Sequence, residues 1–148
     1  MVSRLGVVLI APIFTLWCAY AFAEDNPMDI ASNTTQSVLD SMPDVIFYKD
    51  LAGIYRGGNS AWEKLVGKPR SEVIGKTDFD LFPHDVATSF SIYDREMLES
   101  GALRKNEEML TYPDGHTVWV ETTKMPWLGR DGEVLGVLGT CREIPAKE

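Results

Sequence analysis

The sequence predicts an α+β domain, an antiparallel sheet with its helices gathered on one face. Three features point to it. The last third of the chain holds three strand-like runs, "KNEEMLTY", "HTVWVETTKMPW" and "EVLGVLGTCREI". Pro113-Asp114-Gly115 and Arg130-Asp131-Gly132 stand between them. Asp-Gly marks tight hairpins, because both central turn residues must accept unusual backbone angles. Ahead of these runs, a helical pattern extends from about Asp85 to Ser100. Its apolar positions Val86, Phe90, Tyr93, Met97 and Leu98 follow helical spacing.

A length of 148 residues fits one domain, and 45% hydrophobic with 24% charged residues is ordinary for a globular protein. The net charge of -8 argues against a nucleic-acid partner, which is held by a basic face that displaces counterions.

Residues Leu5 to Ala23, "LGVVLIAPIFTLWCAYAFA", carry no charge; Arg4 precedes them, and Ala21-Phe22-Ala23 stands before Glu24-Asp25. A basic start, an apolar middle and a small-x-small site make residues 1–23 a signal peptide. The apolar run is nearly long enough to span a bilayer, so an uncleaved anchor is the alternative. No Lys or Arg occurs between the run and Lys49, so both readings put the domain outside the cytoplasm. It is expected to be periplasmic or secreted after cleavage, or else membrane-anchored. Cys18 lies in the leader, and cleavage would leave Cys141 without an intrachain partner.

Residues 24–37 read as a linker and the start of a helix that runs from Met28 to Met42 and stops at Pro43. The domain proper is expected over 38–145, with 146–148 as a tail. "VIFYKD" is rich in strand formers, Leu51-Ala52-Gly53 makes a turn, and "IYRGG" is a second short strand. Asn59 or Ser60 caps the helix "SAWEKLVG", which Gly67 ends. "PRSEVIGK" forms another turn-and-helix unit, and Gly101 closes the long helix.

The segments "PDVIFYKDLAGIYRGGNSAWEKLVG", "RSEVIGKTDFDLFP" and "YPDGHTVWVETTKMPWLGRDGEVLGVLGTCREI" follow one another in the order and spacing of the PAS domain family. The chain resembles that family from about Val38 to Ile144, with Asn59 at its usual asparagine. The resemblance implies a five-stranded antiparallel sheet cupping short helices around an internal cavity. It also implies a sensory module that holds a small ligand or cofactor there, or dimerises.

On that fold, the long helix and the inner face of the sheet wall the cavity. Phe47, Tyr55, Phe79, Phe90, Met97, Trp119, Met125 and Val137 are the expected walls, with Tyr48, Arg56 and Thr122 as polar contacts. A register slip of one residue would turn each of these three outward. The same aromatic set can also close-pack and leave no room for a guest.

Haem-binding members place an axial histidine inside the long helix, at a position that falls at about Phe90 here. His84 lies earlier, after Pro83, and reads as a capping or surface residue; His116 follows an Asp-Gly turn and reads as a strand-edge residue. Flavin-binding light sensors of the family need an Asn-Cys-Arg type motif in the helical segment, whereas Cys141 is on the last strand. Neither haem nor flavin is supported, and the cofactor is left open.

Asp78-Phe79-Asp80 has the look of a cation site, but a hard cation wants more oxygen ligands. The favoured reading has Thr77 or Asp78 capping a short helix while Phe79, Leu81 and Phe82 pack inward. With no glycine-rich phosphate loop and no Gly-x-Ser-x-Gly, neither a catalytic residue nor a metal ligand is assigned. The remaining carboxylates are expected on a solvated surface.

The family's closing Asp-Ile-Thr appears as Glu143-Ile144-Pro145, and the chain ends at Glu148. The expectation is an exported PAS sensory and interaction module, not an enzyme, with no output domain of its own. Its partners would be a small-molecule ligand, a second copy bound through the N-terminal helix, or a membrane sensor protein. A haem- or flavin-type redox sensor and a small enzyme using the cavity are the alternatives.

Overall fold

The computed structural model describes residues 27–146. The leader or anchor expected over 1–23 lies outside them. The elements are α1 (Pro27–Asp40), β1 (Val45–Asp50), β2 (Tyr55–Gly58), α2 (Ser60–Val66), α3 (Arg70–Val73), α4 (Asp78–Leu81), α5 (His84–Ser100), β3 (Arg104–Thr111), β4 (Thr117–Leu128) and β5 (Val134–Glu143). The strands form one sheet in the order β2-β1-β5-β4-β3, with every neighbouring pair antiparallel. This is the α+β arrangement and strand order of a PAS-like sheet.

Hairpins account for β1–β2, β3–β4 and β4–β5. The helices α2 to α5 are the long connection from β2 at one edge to β3 at the other. α5 packs on β4 and β5. Gly67 and Gly101 both end their helices in the left-handed region, at φ 71° and 64°, where a side chain would be strained.

Side chains alternate between the two faces of a strand, so the register decides what the helices cover. Phe47 pairs with Gly139, Lys49 with Val137, Thr122 with Cys141 and Lys124 with Gly139. These residues share the helix-covered face with Val45, Tyr55 and Val120. Val45, Phe47, Tyr55, Trp62, Val73, Val120 and Cys141 form the buried apolar cluster. Gly139 lets the Phe47 ring lie flat on the sheet, since a Cβ there would come within 2.2 Å of the ring.

Asn59 joins three elements. Its side chain, fully buried, accepts the N–H of Ile46 at 3.0 Å and of Trp62 at 3.1 Å. It donates to the carbonyls of Leu39, Met42 and Asp44. One amide thus caps α2, fixes β1 and holds the end of α1.

A second buried group ties α4 and α5 to the sheet. Lys49 Nζ lies 2.5 Å from Asp78 Oδ2 and 2.7 Å from Asp94 Oδ2. Lys124 Nζ lies 2.5 Å from Asp94 Oδ1 and also donates to the Phe90 carbonyl at 3.3 Å. The Tyr55 hydroxyl donates to Asp78 Oδ1 at 2.8 Å. Lys49, Asp78, Asp94 and Lys124 are all buried, at 1%, 4%, 8% and 4% exposure. Their formal charges cancel.

Removing one member strands the others. Lys49→Met leaves two carboxylates facing one ammonium inside the protein and is expected to cost about 3–5 kcal/mol in urea unfolding. Adding Asp78→Asn to Lys49→Met restores neutrality and is expected to recover more than half of that loss; a double variant no more stable than the single would count against the quartet acting as a unit. Asn59→Ala orphans two buried N–H groups and is expected to lower stability by about 2–4 kcal/mol, read as a shift in the denaturation midpoint at unchanged slope.

Candidate functional site

A cavity of about 530 Å³ lies between the inner face of the sheet and the first half of α5. The sheet contributes Phe47, Lys49, Tyr55, Thr122, Lys124 and Cys141; α2 contributes Trp62 and Leu65. Phe82, Pro83, Val86, Ser89 and Phe90 cover it from the helical side, and Glu108 to Thr111 of β3 close the remaining edge. A smaller hollow of about 330 Å³ is lined by Asp78, Phe79, Asp94, Leu98 and Val137, among others. The charged quartet is the partition between the two: its lysines face the first, its aspartates the second.

Aromatic rings set the shape of the larger cavity. Phe47 meets Tyr55 edge-on at 5.8 Å between centroids, Tyr55 lies 5.1 Å from Trp62, and Phe82 meets Phe90 edge-on at 5.4 Å. Burial first, then the Asp78 carboxylate, hold the Tyr55 phenol well above its ordinary pKa of 10, so it stays a donor. Burial pushes the Cys141 thiol up to about 11, and the Thr122 hydroxyl beside it only partly offsets that. Thr122 also donates to Glu108 Oε1 at 2.5 Å.

The structure brings Phe47, Tyr55, Phe90 and Thr122 together on this cavity. Tyr48, Arg56, Trp119 and Met125 stand on the opposite face of the sheet. Adjacent strand residues cannot both face inward, and the register gives the inner positions to Phe47, Tyr55 and Thr122. Tyr48 packs edge-on against Trp127 at 5.0 Å, and Arg56 pairs with Asp50 at 2.6 Å. Met97 is fully buried but is not part of the cavity wall, and Val137 lines the smaller hollow.

Phe79 is 52% exposed and packs against His84 rather than inward. α4 is a single turn and can bury only one side; that side is given to Asp78, which meets Lys49. Asp78 therefore does not cap the turn. Thr77, the other expected residue, is its N-cap, and Asp80 completes the capping box by accepting the N–H and the hydroxyl of Thr77 at 2.8 Å each. The expectation that the carboxylates are solvated fails for Asp78 and Asp94, because each is neutralised by a buried lysine. His84 is exposed at the start of α5, and His116 stacks on Tyr112 and pairs with Asp114 in the β3–β4 turn. Among the described residues, no group of His, Cys, Asp and Glu side chains is arranged to hold a metal.

Several site residues escaped the sequence reading: Lys49, Lys124, Asp94, Trp62, Glu108 and Cys141. The two lysines did leave a signal. Lys49 follows Val45 and Phe47 at a spacing of two, and Lys124 follows Val120 and Thr122 in the same way. A lysine in phase with buried strand positions requires a buried anion opposite it.

The chain resembles several proteins over this region. A family model described as PAS fold matches residues 39–148. The aerobic respiration control sensor protein ArcB of Escherichia coli is 28% identical over 117 residues, covering 79% of this chain and 15% of ArcB, so the chain spans a small part of that relative. VqmA of Vibrio cholerae, solved as a complex with ligand and DNA, superposes with a TM-score of 0.68 at 29% identity, covering 75% of this chain and 50% of VqmA. A VqmA dimer without target DNA gives 0.69 at 29% identity, covering 76% and 51%. The PAS domain of a Colwellia psychrerythraea protein gives 0.60 at 25% identity, covering 78% of this chain and 98% of that one. Sheet order, helical cover and the family match over most of its length agree: the chain belongs to the PAS-fold family.

Proposed function

We propose that this PAS domain is a sensory module whose signal is a small molecule held in the cavity between α5 and the sheet. The observation that carries this reading is the cavity itself: about 530 Å³, aromatic-walled and furnished with a few buried polar groups. That volume and lining are typical of small-molecule sites. VqmA, whose solved structure holds a ligand, adds support by its similarity over most of this chain.

Dimerisation through α1 is part of the reading. Met28, Ile30, Val38 and Met42 in and just after that helix are exposed, and a VqmA dimer is among the similar structures. Export rests on the composition of residues 1–23, and nucleic-acid binding is disfavoured by the net charge of -8.

Protein isolated from its own host is expected to carry a bound small molecule in native mass spectrometry. Val86→Trp, which enlarges a side chain on the cavity wall, is expected to lose it while remaining folded. Cys141, buried on the cavity wall with its thiol near 11, is expected to alkylate slowly at pH 8, and more slowly when the cavity is occupied. A cavity-filled variant that keeps the bound mass, or occupancy without effect on Cys141, would overturn the cavity as the ligand site. Terminal sequencing of exported protein is expected to read from Glu24; a mature chain starting at Met1 would support the anchor instead.

A further inference from the structure

We infer that β3 is a self-association edge: two copies of the chain pair antiparallel along it, about a two-fold axis at Asn106, and join their sheets into one. This surface is separate from α1, which lies at the other edge of the sheet, where Gln36 donates to the Gly58 carbonyl of β2 at 3.1 Å.

The two edges of the sheet are unlike. β2 has four residues, two of them glycine, and its pairing with β1 is broken by a shift at Tyr48/Lys49. β3 has eight residues, no proline, and unbroken pairing with β4 from Arg104 to Thr111. Long, regular edges accept another strand; brevity, bulges and proline prevent it. Alternate residues of an antiparallel strand direct both backbone groups to the same neighbour. Tyr112 donates to the His116 carbonyl at 2.9 Å, and Trp119, opposite Met109, gives its carbonyl to Ile144 just past β5. The backbones of Arg104, Asn106, Glu108 and Leu110 therefore face β4, and those of Lys105, Glu107 and Met109 turn outward.

The side chains select one register. Arg104-Lys105-Asn106-Glu107-Glu108 reverses in charge about its middle residue. With Asn106 opposite its own copy, Lys105 meets Glu107, Arg104 meets Glu108 and Leu103 meets Met109, each pair twice. The outward backbones of Lys105 and Glu107 then face each other, as ladder bonds require. A slip of one residue breaks that phase and mismatches the faces; a slip of two sets Glu107 on Glu107 or Lys105 on Lys105. The register also answers a charge pattern within one copy. Glu107 stands directly opposite Glu121, and Arg104 opposite Lys124, in the β3–β4 ladder, and like charges so placed oppose strand pairing. The second copy sets a lysine on the other side of Glu107 and a glutamate on the other side of Arg104. Leu103 and Met109, both exposed, cover each other beside Trp119.

Val38→Glu removes the apolar α1 surface, so a dimer that persists in that variant of the purified chain belongs elsewhere. Sedimentation velocity is expected to show such a dimer. Adding Lys105→Glu or Glu107→Lys sets like charges at two symmetry-related pairs and is expected to weaken it at least about tenfold. An equimolar mixture of these two variants restores both opposite-charge pairs and is expected to recover the affinity as a heterodimer. Asn106→Cys, in a Cys18→Ser background, is expected to form an interchain disulfide with diamide, because residues opposite each other at such an axis lie about 4.5 Å apart at Cα, within disulfide reach. Met109→Cys lies about 20 Å from its copy in this register and is expected not to cross-link. No dimer in Val38→Glu, a mixture no tighter than either charge variant alone, or Met109→Cys cross-linking as fast as Asn106→Cys would overturn the inference.

Discussion

Two lysines and two aspartates sealed between a sheet and its helices constrain this molecule more than any apolar contact. Taking each ion out of water costs several kcal/mol, recovered only where oppositely charged atoms meet at hydrogen-bond distance. Here the four come from β1, α4, α5 and β4, distant in sequence. They meet only when β1 and β4 hold the observed register and both helices lie at the observed height over the sheet. A slip of one residue in either strand would turn its lysine to the opposite face and strand an aspartate inside. The quartet is therefore a specification of geometry, and its net contribution to stability is secondary to that role.

The site follows from this constraint. The lysine ends of the quartet form part of the cavity wall, and the Tyr55 phenol is held as a donor to Asp78 by the same arrangement. The rings of Phe47 and Phe90 lie within cation–π range of the two ammonium groups. The polar part of the wall is thereby fixed in advance, which would lower the ordering cost of binding a guest there. Glu108 differs from the quartet, being half-buried on the edge strand β3, with its carboxylate accepting from the Thr122 hydroxyl.

Legibility in the sequence tracked how local each determinant was. The hairpin turns at Asp114-Gly115 and Asp131-Gly132, the helix-ending Gly67 and Gly101, and the Asn59 cap depend on neighbours a few residues away, and the elements appear where those signals put them. Which face a strand residue occupies is not local in that sense. Tyr48 and Arg56 are as suited to a polar pocket as Thr122, and only pairing with partners far along the chain sends them to the other face. Asp78 shows the same limit. Beside Thr77 it reads as a helix cap, and its burial follows from Lys49, 29 residues earlier. The alternation Val45-Phe47-Lys49 and Val120-Thr122-Lys124 marks both lysines as inward-facing and implies carboxylates on the helices that cover them.

β1 is where the two buried polar assemblies meet. Phe47 and Lys49 face the cavity and the quartet, while Ile46 between them gives its N–H to Asn59 and receives the N–H of Asn59 at its carbonyl. Asn59 in turn holds the carbonyls of Leu39 and Met42 at the end of α1, and Asp40 beside them binds the Ser60 N–H and Arg70. A strand of six residues is thus fixed on one side by charge and on the other by an amide, with no slack residue between. Any displacement of β1 at the cavity must either break one of these buried hydrogen-bonded groups, at a cost of about 1–3 kcal/mol for each unsatisfied group, or carry α1 with it. The second course keeps the Asn59 bonds but still pulls on the ladder to β5 and on the contacts of Lys49 with Asp78 and Asp94, so β1 is displaced only together with the elements that hold it on both sides.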